Sequence, residues 1–146
     1  MSEENVEIIR RGFEILAEGV PQGDFGAVFD ELVREGIAAP DVVWKLSDPG
    51  YGSVAAGDDI VGRAGFVEFW RIWTADDDLV FEAEEFIDAG NDRVVVVALH
   101  HAIGKRSRAP VEMRYGFIST FEGRRVVHQE FFADPRQTLE AAGLSE

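Results

Sequence analysis

Apolar residues at Val6, Ile9, Phe13, Leu16 and Val20 recur at helical spacing and predict a first helix. Ser2 is positioned to cap it, and Glu3 and Glu4 are favourable beside the positive end of its dipole. A second stripe, Phe25, Val28, Phe29 and Leu32, starts near Asp24 and stops at Gly36. DVVWKL (41–46) reads as a short strand. SDPGYGSVAAGDDIVG (47–62) is rich in glycine and predicts a long loop, of the kind that is usually functional or mobile in a compact domain. A third helix over about 63–75 carries Phe66, Phe69, Trp70 and Trp73 on one side.

Beyond residue 78 the period changes from helical to alternating. LVFEAEEFID (79–88) is strand-like, but its alternation slips at Glu84–Glu85, which predicts a bulge. AGND turns the chain into RVVVVALHHAI (93–103). VEMRYGFISTF (111–121) sets Met113, Tyr115, Phe117 and Phe121 on one face and Glu112, Arg114 and Thr120 on the other. Glu122-Gly123 predicts a tight hairpin into RVVHQEFFA (125–133). Asp134-Pro135 is a helix start, and Gly143-Leu144 resembles a helix stop. Helices first and antiparallel strands afterwards define an α+β domain, with the helices packed on one face of a curved sheet.

The hairpin carries a chemical expectation. With Glu122 and Gly123 as the loop, Phe121 pairs with Arg124, Phe117 with His128 and Tyr115 with Glu130. That count turns His128 and Glu130 inward beside a phenol, where burial raises a carboxyl pKa into the range useful for proton transfer. The alternative is a plain ion pair between His128 and Glu130, or their exposure at the rim. His100 and His101 pose a similar choice, since adjacent strand residues face apart. Pairing Ile103 with Val111 turns His101 inward, and a bulge near Gly104 turns His100 inward instead. The local count leaves both open, and an inward histidine has a second reading as a core histidine bonded to a backbone carbonyl.

Composition removes several classes of function. The 146 residues fit one domain, contain no cysteine and have no apolar run approaching a membrane span. The acidic N-terminus lacks the features of a signal peptide, so a cytoplasmic protein is expected. Acidic residues outnumber basic ones 28 to 14, for a net charge of −14, which disfavours nucleic acid as a partner. GKRSR (104–108) is a local basic cluster, read as a solvated hairpin tip or a small anion patch. The three histidines lack a diagnostic metal spacing, and no phosphate loop or nucleophile elbow occurs. No metal and no cofactor are expected.

The order of elements, the RVVVV strand after AGND and the tail EFFADPRQTLEAAGL resemble the SnoaL-like family of the nuclear-transport-factor-like, or ketosteroid-isomerase-like, superfamily. The resemblance covers nearly the whole chain, 1–146, as a single domain. It implies a cone-shaped α+β barrel: a curved, mainly antiparallel sheet wrapped around the N-terminal helices and open at one end to an apolar pocket. It also implies a homodimer formed through the outer sheet face, where Val-rich positions occur on both sides of 94–99.

The superfamily includes polyketide cyclases, epoxide hydrolases, ketosteroid isomerases and members without chemistry, so fold alone leaves function open. Aligned from the turn, Glu130 matches the last-strand acid of the cyclases and epoxide hydrolases; aligned from the tail, that slot falls on Phe131. His100 falls where the epoxide hydrolases carry an inward aspartate. Departures are plain: their arginine falls at Ala98, the cyclases' histidine at Gly116 or Phe117, and the isomerases' tyrosine has only Phe13 in its stripe. The resulting expectation is a cofactor-independent enzyme acting by acid–base chemistry on a hydrophobic carbonyl-bearing or cyclic metabolite. Glu130, His100 and His128 are its candidate catalytic residues, and Trp44, Trp70, Tyr115 and Phe117 its candidate pocket. The alternative is a non-catalytic small-molecule-binding or dimerisation module.

Overall fold

Three helical segments lie at the start of the chain: α1 (Ser2–Gly19), a single 3-10 turn (Val20–Gln22) and α2 (Phe25–Arg34). They belong to a computed structural model that describes residues 2–46, 59–75, 77–132 and 134–144. Asp24 caps α2, its carboxylate accepting from the Ala27 amide at 3.2 Å. At the other end Gly36 adopts φ 75°, which lets the Ile37 amide reach back to the Leu32 carbonyl at 2.9 Å. The chain then enters β1 (Ala38–Leu46). Most of the glycine-rich loop predicted over 47–62 lies outside the described residues. Its end is not loop: Asp59–Val61 forms β2 against β1, and Gly62–Trp73 forms α3.

Four long strands complete the sheet: β3 (Asp77–Gly90), β4 (Arg93–Gly104), β5 (Pro110–Glu122) and β6 (Arg125–Phe132), followed by α4 (Pro135–Ala141). The spatial order is β2-β1-β6-β5-β4-β3, and every pairing is antiparallel except β1 with β6. The protein is therefore an α+β domain with a curved, unclosed, mixed sheet. The irregularity expected at Glu84–Glu85 is present, the β3–β4 register shifting between Ala83 and Glu85. Asn91 and Asp92, both at positive φ, turn β3 into β4.

The inner face of the sheet presents Val94, Val96, Ala98, Tyr115, Phe117, Phe121, Val126 and Phe131 to the helices. Phe13 of α1 stacks on Phe117 with ring centroids 5.7 Å apart, which joins the first helix to the middle of the sheet. On the opposite face a smaller cluster of Val95, Ile118 and Phe132 is covered by α4 through Leu139 and Ala142. Gly116 permits that approach: a Cβ there would lie 2.3 Å from Thr138 Oγ1. Asp134 caps α4 as expected, accepting from the Arg136 amide at 2.9 Å, and Gly143 ends it at φ 80°.

The last hairpin departs from its expected register in two places. The loop is Gly123-Arg124, both at positive φ, so Glu122 pairs with Arg125. The turn demands left-handed backbone at both central positions, and Gly123 with its neighbour supplies it one residue later than predicted. β6 then bulges by one residue, for Phe121 pairs with Val126 but Thr120 with His128. A turn displaced by one changes partners and leaves the faces alone; the bulge exchanges the faces.

Candidate functional site

A cavity of about 70 Å³ lies between the inner sheet face and the helices. α1 contributes Phe13 and Gly12, α2 Leu32, and α3 Phe66, Phe69 and Trp70. The sheet contributes Trp44, Tyr115, Phe117, Gln129 and Phe131. By the volume a water centre needs, on the order of 10–15 Å³, the space exceeds a single water several-fold. Its wall is largely aromatic because each element delivers one apolar stripe to the same place. Phe66 lies 5.4 Å from Trp44 and 6.3 Å from Trp70, and Phe131 lies 5.1 Å from Phe117. All four pocket candidates, Trp44, Trp70, Tyr115 and Phe117, stand in this wall.

None of the described lining residues is charged. The bulge in β6 is the reason. It leaves Gln129 and Phe131 facing inward, opposite Ser119 and Phe117, and turns His128 and Glu130 outward, opposite Thr120 and Ile118. The expected pairs of Glu130 with Tyr115 and of His128 with Phe117 are thus corrected. Glu130 instead sits between Lys45 and Ile118 on the outer face, and Phe131 occupies the inward slot reached by counting from the tail.

The β4 histidines fall on opposite sides. The loop after Gly104 closes with the Gly104 amide on the Ala109 carbonyl, pairing Ile103 with Pro110 and His100 with Met113. The expected partner for Ile103 was Val111; the one-residue difference lies in the turn, and the ladder from Arg93 to Ile103 runs without a bulge. His100 is 3 % exposed, its ring centroid 5.2 Å from that of Tyr115. Burial pushes its pKa down to about 4, with the neighbouring His101 adding to the effect, so the imidazole is neutral at pH 7. His101 faces outward between Glu112, at 3.1 Å, and Glu82, at 3.5 Å. Among the described residues no cluster of histidine and carboxylate side chains is arranged to hold a metal.

Gln129 is the residue that sequence reasoning passed over. Its Oε1 accepts from Trp44 Nε1 at 2.7 Å, and its Nε2 donates to Ser119 Oγ at 2.8 Å. Ser119 is completely buried. The hint was available in the alternation of β5, where Ser119 shares the face of Tyr115 and Phe117 and interrupts an otherwise apolar row.

A curved, unclosed sheet backed by N-terminal helices defines the class of fold, an α+β domain. Within that class the chain belongs to the SnoaL-like domain family, whose model matches residues 10–129. Solved structures agree in fold. One is an NTF2-like protein of unknown function from Burkholderia pseudomallei, at 19 % identity and TM-score 0.68, covering 96 % of this chain and 97 % of that one. A second is a putative SnoaL-like polyketide cyclase from Jannaschia, at 17 % identity and TM-score 0.67, with coverage of 100 % and 95 %. A third is TerC co-crystallised with polyporic acid, at 22 % identity and TM-score 0.64, with coverage of 96 % and 98 %. No protein of curated function matches the chain by sequence.

Proposed function

We propose that this protein binds a neutral, ring-bearing, largely hydrophobic small molecule in the aromatic cavity. The observation that carries this reading is the wall itself: aromatic side chains from two helices and three strands, no charge among the described lining residues, and one hydrogen-bonded amide. An ionised ligand would be desolvated there without a partner, which is costly, whereas a flat apolar one gains contact on every side. A relative of the same fold co-crystallised with polyporic acid supports small-molecule binding by this fold. The acidic, cysteine-free sequence supports a cytoplasmic setting, and no helix among the described residues is long and apolar enough to cross a membrane. The outer sheet face, where Leu99 lies between Glu82 and Arg114, is the surface proposed for a homodimer; sedimentation at micromolar concentration reads it.

Catalysis is a second reading, favoured by the His100–Tyr115 ring pair next to the cavity. In it a neutral His100 orients or accepts the phenolic proton of Tyr115 while the ligand lies against that ring. Glu130 and His128, first expected as proton carriers, stand on the opposite face from the cavity wall.

The test is a thermal-shift screen of neutral bicyclic and tricyclic compounds, read also by the emission of Trp44 and Trp70. Ligands should raise the melting temperature in wild type. Ala38→Leu, which pushes a larger side chain from β1 into the cavity, should weaken the response about tenfold or more. Glu130→Gln should leave it intact. An unaltered response in Ala38→Leu would move the ligand elsewhere. If a hit is turned over, His100→Gln should slow turnover roughly 100-fold and Glu130→Gln should not.

A further inference from the structure

The Trp44–Gln129–Ser119 chain is a polar construction built into the cavity wall, and its chemistry has a direction. An indole N–H is a donor only, so the amide oxygen of Gln129 must be the atom that faces Trp44. The amide nitrogen must then face Ser119, and the 2.8 Å contact uses one of its two N–H groups. The amide therefore cannot rotate by half a turn without setting two donors against each other at the indole. Three elements hold it: β1 through Trp44, β5 through Ser119, and β6 through its own backbone.

What this arrangement leaves over is the second amide N–H, on a residue that lines the cavity. We infer that Gln129 is the specificity-determining residue of the site, offering a fixed N–H donor to a carbonyl oxygen of the bound ring compound. This rests on the binding reading above and narrows it from neutral ring compounds to those carrying an acceptor. A ligand without an acceptor leaves that donor buried and unsatisfied, whereas a ketone satisfies it at no cost in charge. The amide is also held in place before the ligand arrives, so little ordering is lost on binding.

The experiment compares 1-indanone with indane, two bicyclic probes that differ by a carbonyl against a methylene. Isothermal titration calorimetry at pH 8 measures both affinities in wild type, Gln129→Leu and Gln129→Glu. The quantity read is the ketone-to-hydrocarbon affinity ratio, in which general differences in hydrophobicity cancel between proteins. The ratio should be about tenfold or more higher in wild type than in Gln129→Leu. Gln129→Glu keeps the shape and can still accept from Trp44, but its carboxylate has no donor, so it should lose the preference as well. It carries the test if the leucine variant does not fold. Binding of both probes with the same ratio in wild type and variant would overturn the donor role while leaving the cavity as a binding site. Failure of 1-indanone to bind wild type would overturn this inference, and failure of both probes the binding reading with it.

Discussion

His100 and His101 are adjacent in the chain and differ in nearly every physical respect. His100 lies on the inner sheet face, buried against Tyr115, and is kept neutral by desolvation. His101 lies on the outer face, half exposed, between two carboxylates. The contrast extends across the sheet. Inside are Phe117, Phe131 and the locked amide of Gln129; outside are Glu82, Glu84, Glu112 and Arg114, with an Arg114–Glu84 pair at 2.5 Å and 3.0 Å. One face lines the aromatic cavity. The other is a solvated, charged surface except where α4 covers it.

The sharpest way to break this comparison is to remove bulk from the inner face. Phe117→Ala deletes a ring stacked between Phe13 and Phe131, and should cost about 3–5 kcal/mol in urea denaturation. A loss well below that range would show that the helices do not lean on the sheet as described.

Next comes pH. The folded pKa of His100 is about 4, below its ordinary value of 6.5. Between those values the unfolded chain binds the proton and the folded protein does not, so stability is lost as pH falls from 6.5 and levels off below 4. The full effect is roughly 3 kcal/mol. Denaturation midpoints between pH 7 and pH 4 should show this slope in wild type and a flatter one in His100→Leu. Equal slopes would mean that His100 is solvated in the native state.

On the outer face the largest expected effect is at Gly116, under α4. Gly116→Ala places a methyl against Thr138, and should destabilise by roughly 1–3 kcal/mol while loosening α4 in hydrogen exchange. Smallest of all is Arg114→Ala, which breaks the surface pair with Glu84. Exposed ion pairs contribute little, so its denaturation midpoint should stay within error of wild type. A clear drop there would show that the Arg114–Glu84 pair is packed rather than solvated.

Much of this fold is legible from local chemistry alone. The stripe from Val6 to Val20, the Asp24 and Asp134 caps, and the left-handed Gly36 and Gly143 all act within a turn or two of the chain. The alternation of β5 likewise announces its inner face, because a half-buried strand repeats every two residues. Tyr115 and Phe117 follow from it, and Trp70 from the aromatic stripe of α3. Even the slip at Glu84–Glu85 is a local interruption of period, and it is visible as such.

Which residues of β6 look inward is a different kind of fact. The sequence RVVHQEFF offers two consistent registers, one with His128 and Glu130 inside and one with Gln129 and Phe131. Each places apolar and polar groups on both faces. The choice is made by the Gly123-Arg124 turn and the one-residue bulge that follows, as β6 pairs with β5 on one side and β1 on the other. Ser119 and Trp44, 75 residues apart by their numbers, supply hydrogen-bond partners for Gln129 only in that register. No pattern along a single strand contains them. Local sequence determined the helices, the caps and the inner face of β5; the tertiary pairing decided that the cavity wall carries an amide where a carboxylate was expected, because a slip of one residue costs little along the chain and reverses every side chain beyond it.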